Sequence, residues 1–221
     1  MKLKGFLLLI AVTAATAALW PAGAGASTFR GIVVAKQRGT LLVASPAGLV
    51  RAVSGRASLG SRVVVAGGRF AVVGHATKAR IHGIVVRRIG TMVILSSNTH
   101  LVAVHSRARR LADTTPAPAP ATGSVVDTTV TISNGSLDED DEQEVGQTNA
   151  SSLQVQALVK AVGPGTVTLD VQGQQITMNL PAGLTLPASI VGQTVTISLR
   201  LNDDNNDDQG DDDHGDGGGD D

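Results

Sequence analysis

Between Thr166 and Leu199 the chain reads TVTLDVQGQQITMNLPAGLTLPASIVGQTVTISL. Apolar residues fall on every second position: Val167, Leu169 and Val171, then Ile176 and Met178, then Val195, Ile197 and Leu199. Strict alternation in β-branched runs, broken by Gly, Pro and polar turns, specifies half-buried strands. A strand of this kind hides one face and wets the other, so the segment must fold against a sheet or close into a small barrel.

Two looser copies lie upstream. The first has RGIVVAKQ, then Gly39-Thr40 and LLVA, then LVRAV from Leu49, then Gly60-Ser61-Arg62-Val63-Val64-Val65. The second opens at His82-Gly83-Ile84-Val85-Val86, repeats Gly90-Thr91 before MVIL, and continues with Leu101-Val102-Ala103-Val104. The third begins at Ala157-Leu158-Val159 and reaches Gly165-Thr166. The Gly-Thr marks are about 51 and about 75 residues apart, too irregular for a solenoid. TVTIS occurs twice, at Thr129–Ser133 and Thr194–Ser198, and an acidic run follows each soon after. The Pro-rich stretch TTPAPAPAT is therefore read either as an insertion within the second copy, over 113–123, or as an interdomain linker that Val125–Ser133 follows.

The resulting expectation is an all-β chain with two to three small antiparallel OB-like barrel or sandwich units and disordered acidic segments. The expected divisions are a leader at 1–26, a basic β unit at 27–78, a second unit at 79–136 interrupted by 113–123, an acidic loop at 137–152, a third unit at 153–201 and an Asp-rich tail at 202–221. The pattern of Gly-x-Val-Val, Gly-Thr-strand and Gly-x-x-Val-x-Val over 31–65, 83–132 and 157–199 resembles uncharacterised secreted bacterial domains built as small OB-like β-repeats. That resemblance implies fold only and carries over no catalytic or binding residue.

Lys2 and Lys4, the apolar run from Phe6 to Leu19, and Ala24-Gly25-Ala26 have the form of a secretory signal peptide cut before Ser27, with an uncleaved anchor as the alternative. The expected location is secreted or in the cell envelope. With no cysteine, neither disulfides nor thiolate metal sites are available. Beyond residue 26 the aromatics are Phe29 and Phe70 alone, so Val, Ile, Leu and Ala must fill the core.

A net charge of −1 hides a partition. From Ser27 to Ala112 there are 14 Lys and Arg and no acid; from Asp113 onward there are 19 Asp and Glu against Lys160 and Arg200. Charge asymmetry of this size speaks to partners rather than to fold. Arg87, Arg88, Arg107, Arg109 and Arg110 are the local clusters expected to bind anions, since guanidinium groups suit bidentate phosphate or carboxylate recognition. The expected partner is an anionic envelope polymer or lipid surface. Nucleic acid is disfavoured because the aromatic platform of single-strand binders is missing.

Asp203-x-Asn205-x-Asp207 has the start of a calcium loop, but neither the Gly at its sixth position nor the closing Glu follows. Asp203, Asp207, Asp211 and Asp213 are the carboxylates by which such a tail would take up Ca²⁺ loosely; otherwise no cofactor is expected, and a solvating tail is the ordinary alternative. No nucleophile elbow, HExxH or P-loop is present, and His100 and His105 fall on opposite faces of one strand. The functional expectation is a non-enzymatic exported binder whose Arg-rich half takes an anion and whose acidic half modulates it. The alternatives are a self-associating structural protein using the same charges between chains and, below it, a secreted hydrolase.

Overall fold

The computed structural model describes residues 28–37, 39–106, 119–180 and 183–201. Its elements are fourteen strands and one short 3₁₀ turn at Ala188–Ile190. The first unit comprises β1 (Phe29–Gln37), β2 (Thr40–Ala44), β3 (Val50–Ser54), β4 (Ser61–Ala66) and β5 (Arg69–His75). The second has β6 (Lys78–Ile89), β7 (Met92–Ser97), β8 (His100–His105), β9 (Ser124–Ser133) and β10 (Ser136–Gln147). The third has β11 (Ser152–Gly163), β12 (Thr166–Val171), β13 (Gln174–Asn179) and β14 (Thr194–Arg200). The fold is all-β, and its strand order is OB-like.

In each unit the first strand pairs with both the second and the fourth. The first sheet runs β3-β2-β1-β4-β5, and the second unit repeats this as β8-β7-β6-β9-β10. A parallel contact between Asp138 of β10 and His105 of β8 closes that second set into a barrel. The third unit follows β13-β12-β11-β14. Pairing of β9 with β6 from Lys78–Thr131 to Ile84–Val125 puts β9 in the same barrel as β8, the strand that precedes it in sequence.

One backbone hydrogen bond marks the repeat. The N–H of Gly60 donates to the Val33 carbonyl, that of Gly123 to Val85, and that of Gly192 to Val159, at 2.8, 2.8 and 2.7 Å. All three glycines have positive φ, which is why the chain spells Gly before each fourth strand.

The units are not beads on a string. In β2, Leu41 and Val43 face a small core with Val33 and Val63, while Leu42 and Ala44 turn the other way. With Val34 and Val50 they enter the core of the second unit, beside Ile81, Val85, Leu95 and Val102. The same device joins the next pair: Met92, Ile94, Leu101 and Ala103, on the outer faces of β7 and β8, enter the core of the third unit beside Val159, Leu169 and Ile197. Strands buried on both faces read as continuous apolar runs, LLVA and MVIL.

Each joint also uses one equivalent backbone bond. The Gly48 carbonyl accepts from the N–H of His82 at 2.9 Å, and the Thr99 carbonyl from that of Gln156 at 2.7 Å. Both acceptor residues sit at positive φ in the turn after a second strand. Ser97 Oγ and Asn98 Nδ2 hold the two backbone groups of Val50 at the first joint. On the third unit the corresponding outer face carries Thr168, Asp170, Gln175 and Thr177, so the apolar stacking stops there.

The structure corrects one expectation. Residues 137–147 of the segment read as an acidic loop at 137–152 form, with Ser136, the twelve-residue strand β10. It pairs along its length with β9, with bulges near Asp140 and Val145. Leu137 and Glu139 turn inward, and carboxylates on the strand meet cations of β6 across β9. Neutralisation from two strands away lets so acidic a sequence hold an extended strand, a signal that hydrophobic periodicity does not contain. The acidic strand is thus the fifth strand of the second unit.

Candidate anion-binding surface

The cations divide into two sets. On β6, Lys78 pairs with Asp140 of β10. Arg80 Nη2 donates to Asp127 Oδ2 at 2.6 Å, and His82 Nδ1 lies 3.0 Å from Asp127 Oδ1. Arg88 Nε donates to the Pro120 carbonyl at 2.8 Å, and its Nη2 donates to Glu142 Oε2 at 3.1 Å. The Glu142 side chain is only 7% exposed, so Arg88 compensates a carboxylate that has lost most of its water. Arg87 reaches the Thr177 carbonyl of the third unit at 3.4 Å, at the long end of hydrogen bonding.

Of the expected anion-binding residues, Arg88 is therefore engaged within the chain, and Arg87 leans over the third unit. Arg107, Arg109 and Arg110 lie outside the described residues, as do Asp203, Asp207, Asp211 and Asp213. Among the described residues no three His, Cys, Asp or Glu side chains are grouped to hold a metal ion. Among the described residues no helix is long and apolar enough to cross a membrane.

The second set lies on the first unit, where no acid occurs in the sequence from Phe29 to His75. Arg30, Lys36, Arg51, Arg56, Arg62 and Arg69 are all exposed. Lys36 and Arg56 line a shallow cleft of about 190 Å³ with Gly39, Thr40, Leu41, Gly55 and Ala57. The Arg51 guanidinium sits 5.1 Å from the centre of the Phe29 ring, a cation–π contact worth roughly 0.5–1 kcal/mol at an exposed site. Arg30, Arg62 and Arg69 share the opposite face: Arg30 stands across from Val64, Arg62 lies two residues before Val64, and Arg69 stands across from Ala66. Val63, the alternate residue, is 1% exposed in the core, which fixes the outward direction of its neighbours.

These two Arg groups were not separated by the sequence clusters, because the cations of the first unit are scattered one per strand. Only the pairing of β1, β4 and β5 gathers three of them. The signal available in advance was the absence of acids, not the spacing of Arg.

Asp127 and His100 titrate away from their ordinary values. The Arg80 hydrogen bond, helped by His82, holds the Asp127 carboxyl below the usual carboxylate value, against an opposing effect of burial. Burial lowers the pKa of His100 below the ordinary imidazole value. His100 opens β8 at the joint where Thr99 accepts from Gln156. A lowered folded pKa means the unfolded chain binds the proton more readily. The His100 contribution is therefore complete above the unfolded imidazole value of about 6.5 and is lost as pH falls toward the folded one. The Asp127 contribution is complete above the unfolded value of about 4 and fades as pH falls through the lower folded value. Thermal unfolding scans should show a loss of stability between pH 7 and 5 that His100→Gln reduces, and a separate loss below about pH 4 that Asp127→Asn reduces. Unchanged pH profiles in the two variants would refute these assignments.

No protein-family model matches the chain, and no curated protein matches it. Among solved structures, the chain is similar to CSD456 of Drosophila Unr, with 12% identity over 78% of this chain and 90% of that one, at a TM-score of 0.22. It is also similar to a multidomain protein with nucleic acid binding domains from Streptococcus pneumoniae TIGR4, with 10% identity over 77% of this chain and 67% of that one, at a TM-score of 0.21.

Proposed function

We propose that this chain is an exported, non-enzymatic binding protein whose first unit holds an anionic component of the cell envelope. The observation that carries this reading is the unequal treatment of the two sets of cations. Lys78, Arg80 and Arg88 on β6 meet carboxylates of β9 and β10 inside the molecule. Those on the first unit are exposed on an acid-free surface. Guanidinium and ammonium groups left to solvent at this density attract a polyanion, which releases its counterions on binding.

The modulating role of acidic residues also gains support at one place. The acidic strand β10 pairs with Lys78 and Arg88 of β6, while the cations described on the first unit have no acid of that unit to meet. Leader-like residues 1–26 support export, and the lack of an aromatic platform on the exposed Thr168–Thr177 face supports a ligand other than single-stranded nucleic acid.

The test is a salt titration of the full chain on immobilised dextran sulfate. Retention should weaken steeply with salt and fall at least about tenfold when Arg30, Lys36, Arg56, Arg62 and Arg69 are replaced by Ser. Absence of salt-sensitive retention at low ionic strength would sink the proposal.

A further inference from the structure

Strand β5 is left open where its counterpart is covered. In the second unit, β10 is paired on one side by β9 and touched on the other by β8. In the first unit, β5 pairs with β4, and among the described residues no pairing joins its far edge to β3. Natural edge strands are blunted by charge, Pro or brevity. This one is seven residues long, with neither Pro nor acid; it carries one charge, Arg69, and a bulge at Val73. Val72 and Val73 are 51% and 61% exposed, among the most exposed large apolar side chains described. Arg69 lies on β5 itself, and Arg62 on the neighbouring β4, with Arg30 one strand further.

The second unit shows what such an arrangement accommodates. There an acidic extended strand lies two strands from β6, and its Asp140 reaches Lys78 across β9. A strand added to β5 would lie next to Arg69 and two strands from Arg62, the same reach with the same sign of charge on each side.

Building on the anion-binding reading of the first unit, we infer that the open edge of β5 takes an extended acidic polypeptide segment of a partner as an added strand. Backbone hydrogen bonds supply the pairing, and carboxylates at alternate positions meet Arg62 and Arg69. The valines of β5 favour apolar residues at the remaining positions. The ligand class is thus a peptide alternating acidic and β-branched residues, rather than any polyanion.

The full chain is titrated with a ten-residue alternating Asp–Val peptide, an alternating Asp–Pro peptide of equal charge, and dextran sulfate. Proline cannot donate to a ladder and keeps the backbone out of strand pairing. The Asp–Val peptide should bind at least about tenfold more tightly than Asp–Pro, slow hydrogen exchange at β5, and lose about tenfold in affinity on joint Arg62→Ser and Arg69→Ser substitution. Equal binding of both peptides, or protection that spares β5, overturns strand addition while dextran sulfate binding upholds the broader anion reading. Failure of all three ligands overturns both. Salt-insensitive self-association through β5 in sedimentation, without peptide, would assign the edge to a second copy and overturn the inference.

Discussion

Replacing Gly31 by Val is expected to cost roughly 3 kcal/mol or more, a loss of about 6–12 °C in Tm for a chain of this size. A Cβ at this position would fall on the Ala44 carbonyl oxygen and lie 2.6 Å from Val43 Cγ1, both on the neighbouring β2. Backbone cannot give way as a flexible side chain can, so the β1–β2 pair must open or shift. Gly83 is the equivalent residue of the second unit, and its Cβ would lie 2.8 Å from the Ser96 carbonyl oxygen. The third unit has Ala157 there, fully buried, so crowding belongs to the first two units rather than to the fold in general. Differential scanning calorimetry should give a large drop for Gly31→Val and a small one for Ala157→Gly. A Gly31→Val protein with unchanged Tm would show that β1 and β2 are not held as described.

Leu42→Asp should be at least as damaging. Leu42 is fully buried, and it lies in the core of the second unit although it belongs to the first. Losing its burial removes roughly 2–3 kcal/mol, and an unpaired carboxylate at the joint adds several more, so a total near or above 4 kcal/mol is expected. The control is Leu49→Asp, at a residue 43% exposed, which should change stability by about 0.5 kcal/mol or less. Because Leu42 serves both units, the variant should lower protection from hydrogen exchange in β6 and β7 as well as in β2. Loss confined to β1–β5 would mean that the second unit folds without leaning on the first.

How far the sequence carried this account differs from element to element. The alternation in Val167–Val171, the Gly-Thr turns and the glycines before each fourth strand announced strands and repeats, because turn chemistry and period-two burial are local. The doubly buried runs LLVA and MVIL were visible as strands. Their stacking role was not, since which neighbour covers the second face is a non-local fact. β10 escaped notice for a related reason. Its stability comes from pairing with β9 and from cations two strands away, and its own residues lack an apolar stripe beyond Leu137. The site was half legible. The acid-free half pointed to free positive charge, but local Arg doublets drew attention to Arg87 and Arg88, and Arg88 turned out to serve Glu142. Arg30, Arg62 and Arg69 sit far apart in the chain and meet only through antiparallel register.

The internal pairing also limits what salt should do to the fold. Exposed pairs such as Lys78–Asp140 and Arg80–Asp127 are each worth roughly 0.2–1 kcal/mol, while the clustered cores carry most of the stability. Salt should therefore weaken ligand binding far more than it weakens folding.

The most direct measurement compares two variants that lose the same charge in the dextran sulfate titration. One replaces Arg62 and Arg69 by Ser, the other Lys78 and Arg80. The account predicts that the first loses about tenfold in affinity and has a shallower salt dependence, whereas the second keeps affinity within about threefold and loses only a little stability. Equal loss in both, or greater loss in the Lys78 and Arg80 variant, would contradict the claim that β6 is neutralised from within and that the first unit carries the free positive charge.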